Sequence, residues 1–213
     1  MSGMRKILAV LAVSVLTLSG CANKDPGPAP IVEMPKIECT AVPNLARAKE
    51  VPFDTERHAD PVRITIDGNS GCLVHAGARS LYEVFALPRP GQPVVLTVKA
   101  VPSSTGIFSP RLMLLDEKGK LLREVDKDHF LFRAGALTAL LRARPGERYL
   151  VTASDEANVG DEISQVSGQE KANYMSNGLV SITYYTTSEQ TANLTYSYGG
   201  TVEVSATPVP SAD

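Results

Sequence analysis

The chain contains no tryptophan and only three histidines. The first absence removes the broadest stacking surface a sugar-binding face can use and leaves tyrosine to serve instead. The second leaves His58, His75 and His129 as the only imidazoles. No Gly-x-Ser-x-Gly elbow accompanies them, and the thiol nearest to one of them, Cys72, has a better use in a bridge, so no catalytic residues are assigned. Positive charge is also scarce. Lys and Arg total 21 against 23 Asp and Glu, and no basic stretch is interleaved with aromatics, which argues against a nucleic-acid partner. After the N-terminus no apolar run is long enough to span a bilayer.

The N-terminus itself is informative. Arg5 and Lys6 precede an apolar run from Ile7 to Thr17, which reads as a secretory signal too short to cross a membrane. Leu18-Ser19-Gly20-Cys21 ends it and resembles the lipobox of bacterial lipoproteins. That resemblance implies a diacylglycerol thioether on Cys21, cleavage before it, and acylation of the new N-terminus. It makes the lipid the expected membrane attachment, and more than one acyl chain holds a protein stably. Ala22, in place of the aspartate that favours inner-membrane retention in enteric bacteria, points to the outer membrane. The domain would face the periplasm, with the cell surface as the alternative. Removing the first 20 residues leaves 193 of 213 and takes the formal charge from −2 to −4, because Arg5 and Lys6 leave with them.

With Cys21 acylated, Cys39 and Cys72 remain as a pair in an oxidising compartment, where a disulfide is expected. It would close a loop of roughly 30 residues and contribute about 3 to 4 kcal/mol. Prolines at 26, 28, 30, 35, 43 and 52 give residues 21–53 the composition of an extended tether. Beyond it the pattern is β. Val62-Arg63-Ile64-Thr65-Ile66 alternates, Ser80–Leu87 and Val94–Val101 are rich in strand formers, and Arg111–Asp116 returns as Leu121–Val125 around Gly119. Tyr149–Ser154, Leu179–Tyr185, Ala192–Tyr198 and Thr201–Ser205 add strands. Ala136–Arg144 reads as helix or strand, and Asp155–Asn173 as a long polar loop with some helix. The expected architecture is all-β: an antiparallel, jelly-roll-like sandwich over 54–208, after the signal (1–20) and tether (21–53), with a short tail at 209–213.

The run Leu81–Pro88, then Gly91–Val98, Phe108–Asp116 and Arg144–Val151, resembles in order the maltose operon periplasmic protein (MalM-like) family, and more loosely pre-peptidase C-terminal β-sandwiches. The resemblance covers about residues 60 to 165. It implies a periplasmic β-rich protein linked to carbohydrate uptake, and it brings no catalytic residues or cofactor.

Three acidic groupings are candidate metal sites. Asp54, Glu56, His58 and Asp60 alternate and would share one strand face, but follow a proline in a polar segment. Asp67-Gly68-Asn69-Ser70-Gly71 lacks the later bidentate glutamate of a calcium loop. Asp155, Glu156, Asp161 and Glu162 bracket Asn158 and Gly160. A solvated linker, a turn and an acidic loop account for them more simply, so no metal is assigned. The tyrosines are the remaining lead. Tyr184, Tyr196 and Tyr198 lie among Thr, Ser and Asn, a composition suited to a glycan or a protein partner, with cross-strand packing as the alternative. The expected function is a lipid-anchored, non-catalytic accessory protein assisting maltodextrin uptake; the alternative is a structural module docking on another envelope protein.

Overall fold

The computed structural model describes residues 29–53, 60–89, 92–176 and 181–209, and between 165 and 192 it describes the backbone alone. Fourteen strands carry the fold: β1 (Lys49–Glu50), β2 (Val62–Ile66), β3 (Gly71–His75), β4 (Ala78–Ala86), β5 (Val94–Val101), β6 (Gly106–Phe108), β7 (Pro110–Leu115), β8 (Leu121–Val125), β9 (Leu131–Arg133), β10 (Ala136–Arg142), β11 (Tyr149–Ser154), β12 (Glu162–Ser176), β13 (Ser181–Ser197) and β14 (Gly200–Pro208). One sheet runs β1-β4-β11-β7-β8, with β3 also on β4; a second runs β2-β14-β5-β10-β9; a third runs β12-β13-β6. The chain is therefore all-β, and its first two sheets form the expected sandwich.

The interior follows from strict alternation. Val94, Leu96, Val98 and Ala100 of β5 point inward, as do Val202, Val204 and Ala206 of β14, against Leu81, Phe85, Leu112, Leu114 and Leu150 of the first sheet. Ala136–Arg142 is a strand, not a helix: it pairs with both β5 and β9, which overrides the helical preference of its alanines and leucines. The hairpin between β7 and β8 turns at Gly119, whose φ of 82° suits glycine.

β4 and β7 bury side chains on both faces, so neither shows alternation. Their outer face carries a second apolar cluster of Leu73, Tyr82, Val84, Met113, Leu115, Val151 and Ala153, capped by Leu45 and Ala48. Residues 31–53 of the expected tether (21–53) are thus a strap that completes the sandwich. Tyr198 N–H donates to the Ile31 carbonyl at 2.8 Å, Thr40 N–H to the Cys72 carbonyl at 2.9 Å, and Val51 N–H to the Ala86 carbonyl at 3.0 Å. The Tyr82 hydroxyl accepts from Asn44 N–H at 2.8 Å, and Lys49 Nζ meets Glu83 Oε2 at 2.8 Å. Close passage needs glycine: a Cβ on Gly199 would lie 2.6 Å from the Ile66 carbonyl oxygen and 2.8 Å from Ile31 Cδ1. The prolines limit the unfolded chain's freedom here without preventing the intervening residues from packing.

Candidate functional site

Asp155–Asn173 is not a loop with helix but a single 3-10 turn at Glu156–Asn158 followed by the long strand β12. β12 and β13, of 15 and 17 residues, pair without a bulge from Glu162↔Thr195 to Ser176↔Ser181. At about 3.4 Å per residue the hairpin is about 47 Å long, well beyond the sandwich strands, of which the longest has nine residues. Its base is fixed. Thr195–Ser197 pairs in parallel with Gly106–Phe108, Leu194 is 2% exposed, and Ile163 and Tyr196 pack on the core. Above that base β12 pairs only with β13, so its outer edge carries no strand among the described residues. Neither strand contains proline, and Lys171 is the only basic residue between 162 and 197. The usual protections of an edge, namely lysines, proline and bulges, are nearly missing over 15 residues. An open edge of this kind can accept an added strand from another chain.

Of the tyrosines expected to bind a ligand, Tyr196 and Tyr198 occupy packing positions at or in the core. Tyr198 is 5% exposed and belongs to the sandwich core. Tyr196 is half-buried at the hairpin base, and Tyr184 sits opposite Asn173 in β13 with its side chain outside the description. Burial, and secondarily the Glu156 carboxylate, raises the Tyr198 phenol above its ordinary 10.0; burial and Asp161 raise that of Tyr196. Tyr196 and Tyr198 therefore serve packing and do not form an exposed stacking face.

Cys39 and Cys72 form the expected disulfide, with Cα atoms 4.4 Å apart, joining the strap to β3. Arg79 reinforces that junction by donating from Nη2 to the Ile37 carbonyl at 2.8 Å. Cys21 lies outside the described residues, as do Asp54, Glu56 and His58.

The other acidic groupings have internal partners. Asp67 Oδ1 accepts from Asn69 N–H at 2.8 Å and closes a turn. Asp155 takes Arg111 Nη2 and Asn158 Nδ2, each at 2.7 Å, so its carboxylate is committed to the fold. His75 pairs with Glu124, and His129 Nδ1 lies 3.0 Å from Asp126 Oδ1, which holds that exposed carboxyl below its ordinary value. Among the described residues no group of three or more His, Cys, Asp or Glu side chains is placed to hold a metal ion.

No family model matches the chain, and neither a curated protein nor a solved structure does. Only half of the hairpin is legible in sequence: β13 falls on the expected strands Leu179–Tyr185 and Ala192–Tyr198, whereas polar composition hides its partner β12. The available signal in β12 is what it lacks: no proline, and no glycine other than Gly168 between 162 and 176.

Proposed function

We propose that this chain is a lipid-anchored, non-catalytic accessory protein of the outer membrane's periplasmic face that works by docking on another envelope protein. The observation supporting this reading is the β12–β13 hairpin, about 47 Å of ladder with an unprotected outer edge. An added strand there would satisfy the outward N–H and C=O groups of β12. The lipobox residues Leu18–Cys21 supply the membrane attachment. The MalM-like order of strands makes maltodextrin uptake the process such a module would serve. The partner would then handle the sugar, since Tyr198 is buried in the core.

Photo-crosslinking in intact cells tests this. A benzoylphenylalanine at position 166 should give one adduct of discrete mass, lost when Glu170→Pro removes an outward N–H that the added strand would need. Absence of an adduct, together with a saturable maltodextrin-induced rise in melting temperature, would overturn docking in favour of direct sugar binding. Cys21→Ser should release the protein from the membrane fraction; a variant that stays there contradicts the lipid anchor.

A further inference from the structure

At the end of the sandwich where β5 begins, residues from Leu87–Arg89, Gln92–Val94 and Arg142–Arg148 line an open hollow of about 590 Å3. Arg89, Arg142, Arg144 and Arg148 all line it, and a neighbouring hollow of about 320 Å3 shares Arg89 and Arg148. This concentration stands out in a chain whose formal charge is −2. The acids close by are largely committed. Glu147, whose side chain is 1% exposed, takes a two-point contact from Arg123, at 2.6 Å from Nε and 3.1 Å from Nη2. Glu117 meets Arg89 at 3.4 Å with both side chains well exposed, a weak pair. Glu50 lines only the neighbouring hollow. The guanidiniums of Arg142 and Arg144 are exposed and have no hydrogen-bond or ion-pair partner among the described residues. Arg148 reaches only the adjacent Glu147 carbonyl, at 3.4 Å.

The scaffold under these arginines is fixed. Arg144-Pro145-Gly146-Glu147 is a turn closed by Glu147 N–H on the Arg144 carbonyl at 3.2 Å, with Gly146 at φ 90° as a type II turn requires. Glu147 Oε2 also accepts from Arg144 N–H at 2.8 Å, so the Arg123–Glu147 pair holds the turn from beneath. The Leu87 N–H on the Arg148 carbonyl, at 2.9 Å, ties the two loops together. Guanidiniums are charged at every working pH and present planar forks that match phosphate oxygens, and a preformed hollow of this volume is within the range of ligand sites.

We infer that this hollow is a binding site for a phosphate-bearing ligand carrying at least two negative charges, gripped by Arg142, Arg144 and Arg148 with Arg89 at its rim. It lies at the other end of β5 from the cavity beside Ala29–Ile31, where the chain leads back toward Cys21. It is independent of the hairpin edge and stands or falls separately from docking.

The test is a thermal-shift titration of the full chain in detergent with sodium pyrophosphate at constant ionic strength. The expected result is a saturable rise in melting temperature, with affinity falling about tenfold or more in Arg142→Gln/Arg144→Gln. Arg63→Gln, which removes one exposed charge elsewhere, should leave it unchanged. Both variant positions are exposed, so folding should be retained and is checked by circular dichroism. Glucose 1-phosphate and dihexanoylphosphatidic acid, both phosphomonoesters, then separate the two sources of the same chemistry, a soluble phosphorylated ligand and a lipid headgroup. No rise with pyrophosphate, or a rise that the arginine variant keeps, overturns the site.

Discussion

Removing the Cys39–Cys72 bridge, as Cys39→Ser/Cys72→Ala, gives the sharpest stability prediction. The two residues are 33 apart in sequence, and the chain-entropy expression for such a loop gives about 12 cal/mol/K, or about 3.7 kcal/mol at 25 °C. For a domain of this size each kcal/mol moves the melting temperature about 2 to 4 °C, so the variant should melt about 7 to 15 °C lower. The loop is no passive linker, because it holds Leu45 and Ala48 against the outer face of the first sheet and Tyr82 against Asn44. Losing the bridge should therefore also expose apolar surface near Tyr82, read as increased dye binding before the main transition. Thermal unfolding followed by far-ultraviolet circular dichroism measures the shift, and wild type unfolded in reductant should match the variant. A fall of less than 3 °C would show that the strap's backbone pairing alone restrains the unfolded chain or holds the native one, and would refute the loop-entropy reasoning.

Phe85 is fully buried between the sheets, so Phe85→Ala should cost about 3 to 5 kcal/mol in chemical denaturation. Glu147→Ala leaves the Arg123 guanidinium, 18% exposed, without its carboxylate and should cost about 3 kcal/mol; Arg123→Met/Glu147→Leu should lose less, because no charge remains buried. The Tyr198 phenol is held above 10.0 by burial, so its neutral form is favoured by folding. That contribution is complete below the unfolded value and is lost as pH rises through the higher folded one. Absorbance at 295 nm should show one ionisation above pH 10 missing in Tyr198→Phe, and a missing step at or below 10 would contradict this.

Sequence alone resolved the elements whose chemistry is local. The β7–β8 hairpin was legible because glycine supplies its turn, and β5 because its β-branched residues alternate. The disulfide is legible from the cysteine count once the signal-like N-terminus sets Cys21 aside. Three features depended on tertiary context. Proline content made the strap resemble a linker, although the unbroken apolar run Leu112-Met113-Leu114-Leu115 already signalled a strand covered on both faces. The polar β12 offers no apolar periodicity, because Ser, Gln, Asn, Glu and Lys interrupt its few apolar residues. The arginine hollow is invisible in sequence because Arg89 lies about 50 positions from Arg142, Arg144 and Arg148, and the Leu87–Arg148 and Ala143–Val94 hydrogen bonds bring the two loops together only in the fold. The Thr- and Ser-rich neighbourhood of Tyr198 leaves ligand contact and cross-strand packing both open, and only the fold places its ring in the core.

Hydrogen exchange along β12 tests the docking arm most directly. In purified full-length protein the outward N–H groups of 162–176 should exchange rapidly, and in native membranes the same peptides should be protected by an added strand. Equal exchange in both settings would contradict a docked edge.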